Sequence, residues 1–222
     1  MNLKAVIFDL DGTLLDTLED IAISVNYVLK KFDKEPIPIN EYRYLVGSGA
    51  LKLMQDTLPG IDEKGIKKAL NFFEEHYAKQ YNKNTKLYKD IGKLLTFLQN
   101  RGVKLTILSN KPNSFTKLCA VKYLRNWNFE AVYGIREQIP RKPSPDGAIE
   151  IMKELHVEPK DCLFVGDTKI DMITAKNAGI DSIGVLWGFR DKNELEQNGA
   201  KYISASPSDT IKLISNIESE KL

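Results

Sequence analysis

The chain opens on a short, largely apolar and β-branched run, residues 3–8, that stops at Asp9. An apolar segment of this length without alternation predicts a strand covered on both faces. From about Asp16 the period changes. Ile21, Val25, Val28, Leu29 and Phe32 recur at helical spacing, and Pro36 and Pro38 end the segment. A second helical stretch is expected over 51–58. A third is expected over 62–81, with Ile66, Leu70, Phe73 and Tyr77 on one stripe. Residues 15–85 thus read as a helical block with no strand signal.

Beyond Leu87 the two periods alternate. Helices are predicted over 91–100, 114–123, 146–155 and 172–178, and strands over 103–108, 131–133, 162–165 and 182–186. Leu195, Tyr202-Ile203 and residues 211–217 continue the alternation. Strand-helix-strand repetition predicts an α/β fold: a Rossmann-like, doubly wound parallel sheet. Its core would be residues 1–14 plus 86–222, and residues 15–85 would be a small helical domain inserted after the first strand. No fixed-period repeat and no low-complexity segment interrupts this reading.

Composition narrows the function classes. The 222 residues are 42% hydrophobic and 28% charged, the balance of a globular protein. Net charge is +2, from 32 basic and 30 acidic residues, and the basic ones are scattered, so no nucleic-acid partner is indicated. Lys30-Lys31 and Lys67-Lys68 read as solvated helix faces. Cys119 and Cys162 lack metal or redox spacing and read as core thiols. With no targeting segment and no membrane-length apolar run, a cytoplasmic protein is expected. Monomer and homodimer both stay open.

The chemistry collects at strand ends. In open α/β sheets ligands bind at the carboxyl ends of the strands. The first strand ends at Asp9 and Asp11, the strand over 103–108 at Ser109-Asn110-Lys111, and the strand over 162–165 at Gly166-Asp167-Thr168, with Asp171 beyond. Two carboxylates at close approach repel by about 4 kcal/mol at an effective dielectric of 20. Asp167 and Asp171 add to that repulsion. A hard divalent cation with oxygen ligands relieves it, and Mg2+, which keeps several waters and uses few carboxylates, fits best. Around it one acid can attack phosphorus and a second can protonate the leaving oxygen and then activate water. Lys142, before Pro143 and Pro145, is placed to neutralise the nucleophile and the transferring group. Ser109, Asn110 and the backbone N–H groups around Gly12 and Thr13 are candidate donors to phosphoryl oxygens. His76 and His156 read as ordinary surface or half-buried residues.

The segments Asp9-Leu10-Asp11-Gly12-Thr13-Leu14, Ser109-Asn110-Lys111, Lys142-Pro143-x-Pro145 and Gly166-Asp167-x-x-x-Asp171 resemble, in order, the four motifs of the haloacid dehalogenase superfamily. The resemblance implies Asp9 as nucleophile and metal ligand, and Asp11 as general acid/base with its backbone carbonyl on the metal. It implies Ser109 and Lys142 as phosphoryl holders, Asp167 as metal ligand and Asp171 as ligand or support. Residues 15–85 resemble the family's cap. Within the superfamily the chain is most similar to phosphoglycolate phosphatases. Val46-Gly47-Ser48-Gly49-Ala50 resembles their cap loop, making Gly47, Ser48 and Gly49 candidate selectors of a small phosphorylated metabolite, and Trp187-Gly188-Phe189 resembles their C-terminal part. Pyrophosphatases and sugar or nucleotide phosphatases share these features. Asp11 argues against a dehalogenase, and the lack of His over 16–45 argues against a phosphomutase. A phosphonatase would need a cap lysine such as Lys52. The reading from another class is a non-catalytic phospho-ligand-binding or interaction protein on the same fold.

Overall fold

The structure, a computed structural model, describes residues 2–219. The opening apolar run forms β1 (Ala5–Phe8), buried at every position. The chain then makes a turn and a two-residue strand, β2 (Leu15–Asp16), before entering the helical block. That block comprises α1 (Leu18–Lys31), α2 (Tyr42–Leu45), α3 (Ala50–Thr57) and α4 (Glu63–Gln80). Helix α4 starts where Asp62 accepts the Gly65 N–H at 2.8 Å, a side-chain cap on an otherwise unsatisfied donor. The chain leaves the block through β3 (Lys86–Leu87), which runs antiparallel to β2, with Leu15 opposite Leu87 and Asp16 opposite Lys86. This ribbon corrects the reading of 15–85 as free of strands. A two-residue strand is too short to show a period, and only its partner makes it one.

The remainder is α5 (Ile91–Asn100), β4 (Lys104–Pro112), α6 (Asn113–Tyr123), β5 (Phe129–Ile135), α7 (Asp146–Leu155), β6 (Cys162–Gly166), α8 (Lys169–Ala178), β7 (Asp181–Val185), α9 (Lys192–Gln197), β8 (Tyr202–Ser204) and α10 (Pro207–Ser219). Six strands form one sheet in the order β5-β4-β1-β6-β7-β8, with every pairing parallel. Strand β1 lies between β4 and β6, with Phe8 in register with both Ile107 and Val165. The chain winds outward through β4 and β5, then crosses to β6 and winds the other way. The reversal between β1 and β6 is the topological switch point, where such sheets bind ligands.

Both faces of the sheet are covered, as a parallel sheet requires. Leu94 and Leu98 of α5 and Ile214 of α10 pack in one apolar cluster with Val6 and Phe8. Ala148 and Ile151 of α7 and Ala175 of α8 pack in another with Ile7 and Phe164. The helical block has its own cluster, including Val25, Met54, Phe73 and Tyr77, and it recruits Phe115 of α6 and Phe189 from beyond β7. Cys119 and Cys162 are free and buried. Among the described residues no helix is long and apolar enough to cross a membrane.

Two boundaries differ from expectation in ways that matter for the site. Strand β4 runs on to Pro112, so Ser109, Asn110 and Lys111 lie within the strand. Helix α8 starts at Lys169 because Thr168 and Asp171 form a reciprocal capping box around a polar first turn. Periodicity of apolar residues sees neither a polar strand end nor a polar first turn.

Candidate active site

The site begins one residue past β1. The Asp9 N–H donates to the Val165 carbonyl at 2.9 Å, which ties Asp9 to the edge of β6 at the switch point. The following turn is closed by the Leu10 carbonyl, which accepts from Leu14 and Leu15 at 3.0 Å each. Gly12 has φ +87°, and a Cβ there would sit 2.3 Å from Asp167 Oδ2. Only glycine satisfies both the left-handed backbone and that close approach. The Gly12 N–H donates to the Leu15 carbonyl at 2.9 Å, and the missing side chain admits Asp167. The Thr13 hydroxyl donates to Asp167 Oδ1 at 2.9 Å and its N–H points to the Leu10 carbonyl, so Thr13 orients a carboxylate.

Asp9, Asp167 and Asp171 are buried and present carboxylate oxygens within 4.8 Å of one another. Lys142, from the loop between β5 and α7, lies 2.9 Å from Asp9 Oδ1 and 2.7 Å from Asp171 Oδ1. Among the described residues Lys142, shared with Asp171, is the one cation that reaches the buried Asp9 Oδ1. Asp171 is fully engaged: Oδ1 takes Lys142, and Oδ2 takes the Thr168 N–H at 3.0 Å and the Thr168 hydroxyl at 2.7 Å. Asp167 Oδ2 accepts the Phe189 N–H at 2.8 Å.

The charges are not balanced. Burial pushes the Asp9 carboxyl up to about 7; Lys142 opposes the rise, and Asp171 and Asp11 add to it. Burial also raises Asp167 well above the ordinary carboxylate range, with Asp171 and Asp9 reinforcing it. Burial alone would pull the Lys142 ammonium down, but Asp171 and Asp9 hold it above its ordinary value. One ammonium cannot satisfy three buried carboxylates. The all-oxygen donor set, three buried carboxylates sharing one ammonium, and the raised carboxyls fit a hard divalent cation.

Asp11 stands apart from that cluster. Lys111 Nζ lies 2.9 and 3.0 Å from its two oxygens. Lys111 also sits 4.7 Å from the centre of the Tyr77 ring, a cation–π contact with the helical block. Spacing alone assigned Lys111 no role. Ser109 Oγ accepts the Lys111 N–H at 3.2 Å, and its own O–H stays available to donate. The Asn110 Nδ2 donates to the Gly47 carbonyl at 3.1 Å and the Lys142 carbonyl at 3.0 Å, so both side-chain protons are used. It joins the helical block's loop to the lysine loop.

A cavity of about 50 Å³ opens over Asp9, Asp11, Ser109 and Lys111. Its far wall is apolar, with Ile21, Leu53, Phe73 and Phe115, and Gly47 and Gly49 form its rim. Ser48 is not among the lining residues; Arg141 Nη1 holds its carbonyl at 2.9 Å. Lys52 is ion-paired with Asp56 on the surface of α3. His76 stacks on Tyr27 and meets Ser24 Oγ at 3.1 Å, which makes it a packing residue. His156 is an exposed helix-terminal residue. Sequence spacing missed the Phe189 N–H as a partner of Asp167. The available signal was Gly188, where a Cβ would meet Asp167 Cβ at 2.3 Å and the Gly12 carbonyl at 2.4 Å.

The chain is similar to known proteins over nearly its full length. A phosphoglycolate phosphatase of Colwellia psychrerythraea is 32% identical over 206 residues, covering 90% of this chain and 91% of that protein. A phosphoglycolate phosphatase of Aquifex aeolicus is 31% identical, covering 96% of this chain and 98% of its own. A solved structure from Lactobacillus delbrueckii subsp. bulgaricus superposes with a TM-score of 0.90 at 29% identity, covering 96% of this chain and 99% of that one. The model of the haloacid dehalogenase-like hydrolases matches residues 6–185, a span running from β1 to β7 and enclosing all four motifs. This chain belongs to the haloacid dehalogenase-like hydrolase family.

Proposed function

We propose that this chain is a magnesium-dependent phosphatase that hydrolyses a small phosphate monoester through an aspartyl-phosphate on Asp9. One observation carries the reading: the buried Asp9 carboxyl faces Lys142, Asp167 and Asp171, while Asp11 is held separately by Lys111 at the mouth of the same cavity. That division suits a nucleophile and an acid/base with different tasks.

In this reading Asp9 attacks phosphorus and the P–O bond to the alcohol breaks. Asp11 gives its proton to the departing oxygen. Asp11 then takes a proton from water as that water attacks phosphorus, which frees phosphate and restores Asp9. Ser109 and Lys142 hold the phosphoryl oxygens throughout. Asp9, Asp167 and the Asp11 carbonyl would hold the cation, with Asp171 supporting Lys142 and the start of α8. When bound, magnesium supplies positive charge among the carboxylates and against the phosphoryl group.

Residues 15–85 act as a cap that closes over the ester and excludes water. The small cavity and the names of the relatives favour a compact substrate of the phosphoglycolate type. Gly47 and Gly49 would meet the part beyond the phosphate. The two buried free thiols suit a reducing, cytoplasmic setting. The test is a panel of phosphoglycolate, pyrophosphate, nucleotides and sugar phosphates with magnesium, repeated with chelator. We expect one small monoester to dominate, activity to vanish with chelator, and magnesium to restore it. Full turnover in excess chelator would refute the metal role, and no turnover of any ester would refute the phosphatase reading.

A further inference from the structure

Two arginines, one from each side of the molecule, hold each other's backbones. Arg43 of α2 donates from Nε to the Phe189 carbonyl at 2.9 Å and from Nη2 to the Gly188 carbonyl at 3.0 Å. In return Arg190 donates from Nη2 to the Tyr44 carbonyl at 3.1 Å and the Val46 carbonyl at 2.9 Å. Both guanidinium groups lie against the Tyr44 ring, 5.9 and 5.7 Å from its centre. Arg190 is buried, with its Nε 3.3 Å from Glu194. A planar fork with several fixed donors can serve two carbonyls at once, which a lysine ammonium on a flexible stem does poorly.

The two loops so joined are not equivalent. Residues 187–190 are anchored on the sheet side. Gly188 lies against Asp167, Phe189 donates its N–H to Asp167, and the Trp187 indole N–H donates to the Thr13 carbonyl at 2.9 Å. Residues 44–46 lead straight into Gly47 and Gly49 at the cavity rim. The four-residue loop that touches Asp167 on one side therefore holds the rim loop on the other. The Phe189 ring, packed in the apolar cluster of the helical block, reinforces the joint.

We propose that Arg43 and Arg190 are positioning residues: a reciprocal clasp that sets the Gly47–Gly49 rim against the acidic cluster and so governs how the leaving group is read. The proposal rests on the phosphatase reading for its kinetic consequence. Neither arginine lines the cavity, so neither is assigned a part in bond breaking. Loosening the clasp should weaken recognition of a substrate whose leaving group meets the rim, and spare one whose leaving group barely reaches it.

The test compares Arg43→Ala, Arg190→Ala and Arg190→Lys with the unmodified protein, using phosphoglycolate and the short, activated acetyl phosphate in magnesium. For phosphoglycolate, kcat/KM should fall about 10-fold to 100-fold in either alanine variant, mostly through KM. For acetyl phosphate the loss should stay below about threefold. Arg190→Lys should recover only part of the loss. Amide hydrogen exchange should quicken across residues 44–52 and stay unchanged elsewhere. Arg43 is only half-buried, so its variant should fold even if Arg190→Ala does not. Unchanged specificity and unchanged exchange in a folded Arg43→Ala protein would overturn the proposal. So would equal losses on both substrates with exchange raised throughout the chain. Should the unmodified protein hydrolyse neither ester, the phosphatase reading fails on its own, and the exchange pattern still decides the clasp.

Discussion

Asp9 and Asp20 are both buried aspartates near the start of the chain, and their surroundings are opposite. Asp20, in the first turn of α1, accepts from five donors: Gln80 Nε2, the Asn84 N–H and Nδ2, and the Thr85 N–H and hydroxyl. Burial would raise its carboxyl, but the bonds from Thr85 and Asn84 outweigh that and hold it below the ordinary range. Asp9 has one ammonium, shared with Asp171, and two further carboxylates beside it, and burial pushes it up to about 7. The difference shows that burial does not by itself mark a functional acid. Unmet electrostatic demand does. Asp20 ties the first helix of the block to the segment that returns to the sheet, beside the β2–β3 ribbon. It is an anchor, whereas the demand around Asp9 is the one the proposed cation would meet.

The comparison breaks most sharply at Asp9. Asp9→Asn should remain folded by circular dichroism and lose at least about 10³-fold in turnover of the preferred ester. Turnover at the unmodified rate would remove Asp9 as the nucleophile. Asp20→Asn should do the reverse. It sets an amide NH2 among groups that already donate, so urea unfolding should show a loss of about 3 kcal/mol, while turnover per folded molecule persists. A change within about 0.5 kcal/mol would mean that the cage is not an anchor. Thr85→Ala removes one of the five donors and should cost about 1 kcal/mol in the same assay.

The smallest and most diagnostic effect is in pH dependence. The folded Asp20 carboxyl titrates below its ordinary value of 3.8, so its stabilisation is present above that pH and is lost as pH falls through the folded value. Asp9 has the opposite sign. Its folded value of about 7 lies above the ordinary 3.8, so its contribution is present below 3.8 and is lost as pH rises through about 7. Melting of the cation-free protein between pH 5 and 8 should therefore decline less in Asp9→Asn than in the unmodified chain. Magnesium should raise Tm more at pH 8 than at pH 6, because below about 7 a proton competes for the same carboxyl. Parallel pH profiles for the two proteins would show that Asp9 is not the strained group.

Legibility followed the range of the interaction. Helix α7 falls on its expected bounds because Ile151, Met152 and Leu155 make a stripe that any helix of that sequence buries on the sheet. The β2–β3 ribbon was not legible, since Leu15 and Leu87 become strand residues only on meeting each other. Within the site, spacing singled out Gly12, Thr13 and Asn110 but did not show which groups they bind. Their hydrogen bonds go to Leu15, Asp167, Gly47 and Lys142, partners set by how loops cross. Arg43 and Arg190 lay outside any motif, and nothing local to either residue indicates the other.

The sequence by itself determined the α/β alternation, the inserted helical block and the carboxylates at the ends of β1 and β6. Apolar period and strand-end polarity are local properties, and a parallel sheet must place its strand ends together. Only the tertiary structure decided which buried carboxylate is satisfied and which is not. That depends on donors arriving from distant segments, such as Thr85 for Asp20 and Phe189 for Asp167. A buried charge is stabilised or strained by the sum of groups around it in space, and the order of residues along the chain does not contain that sum.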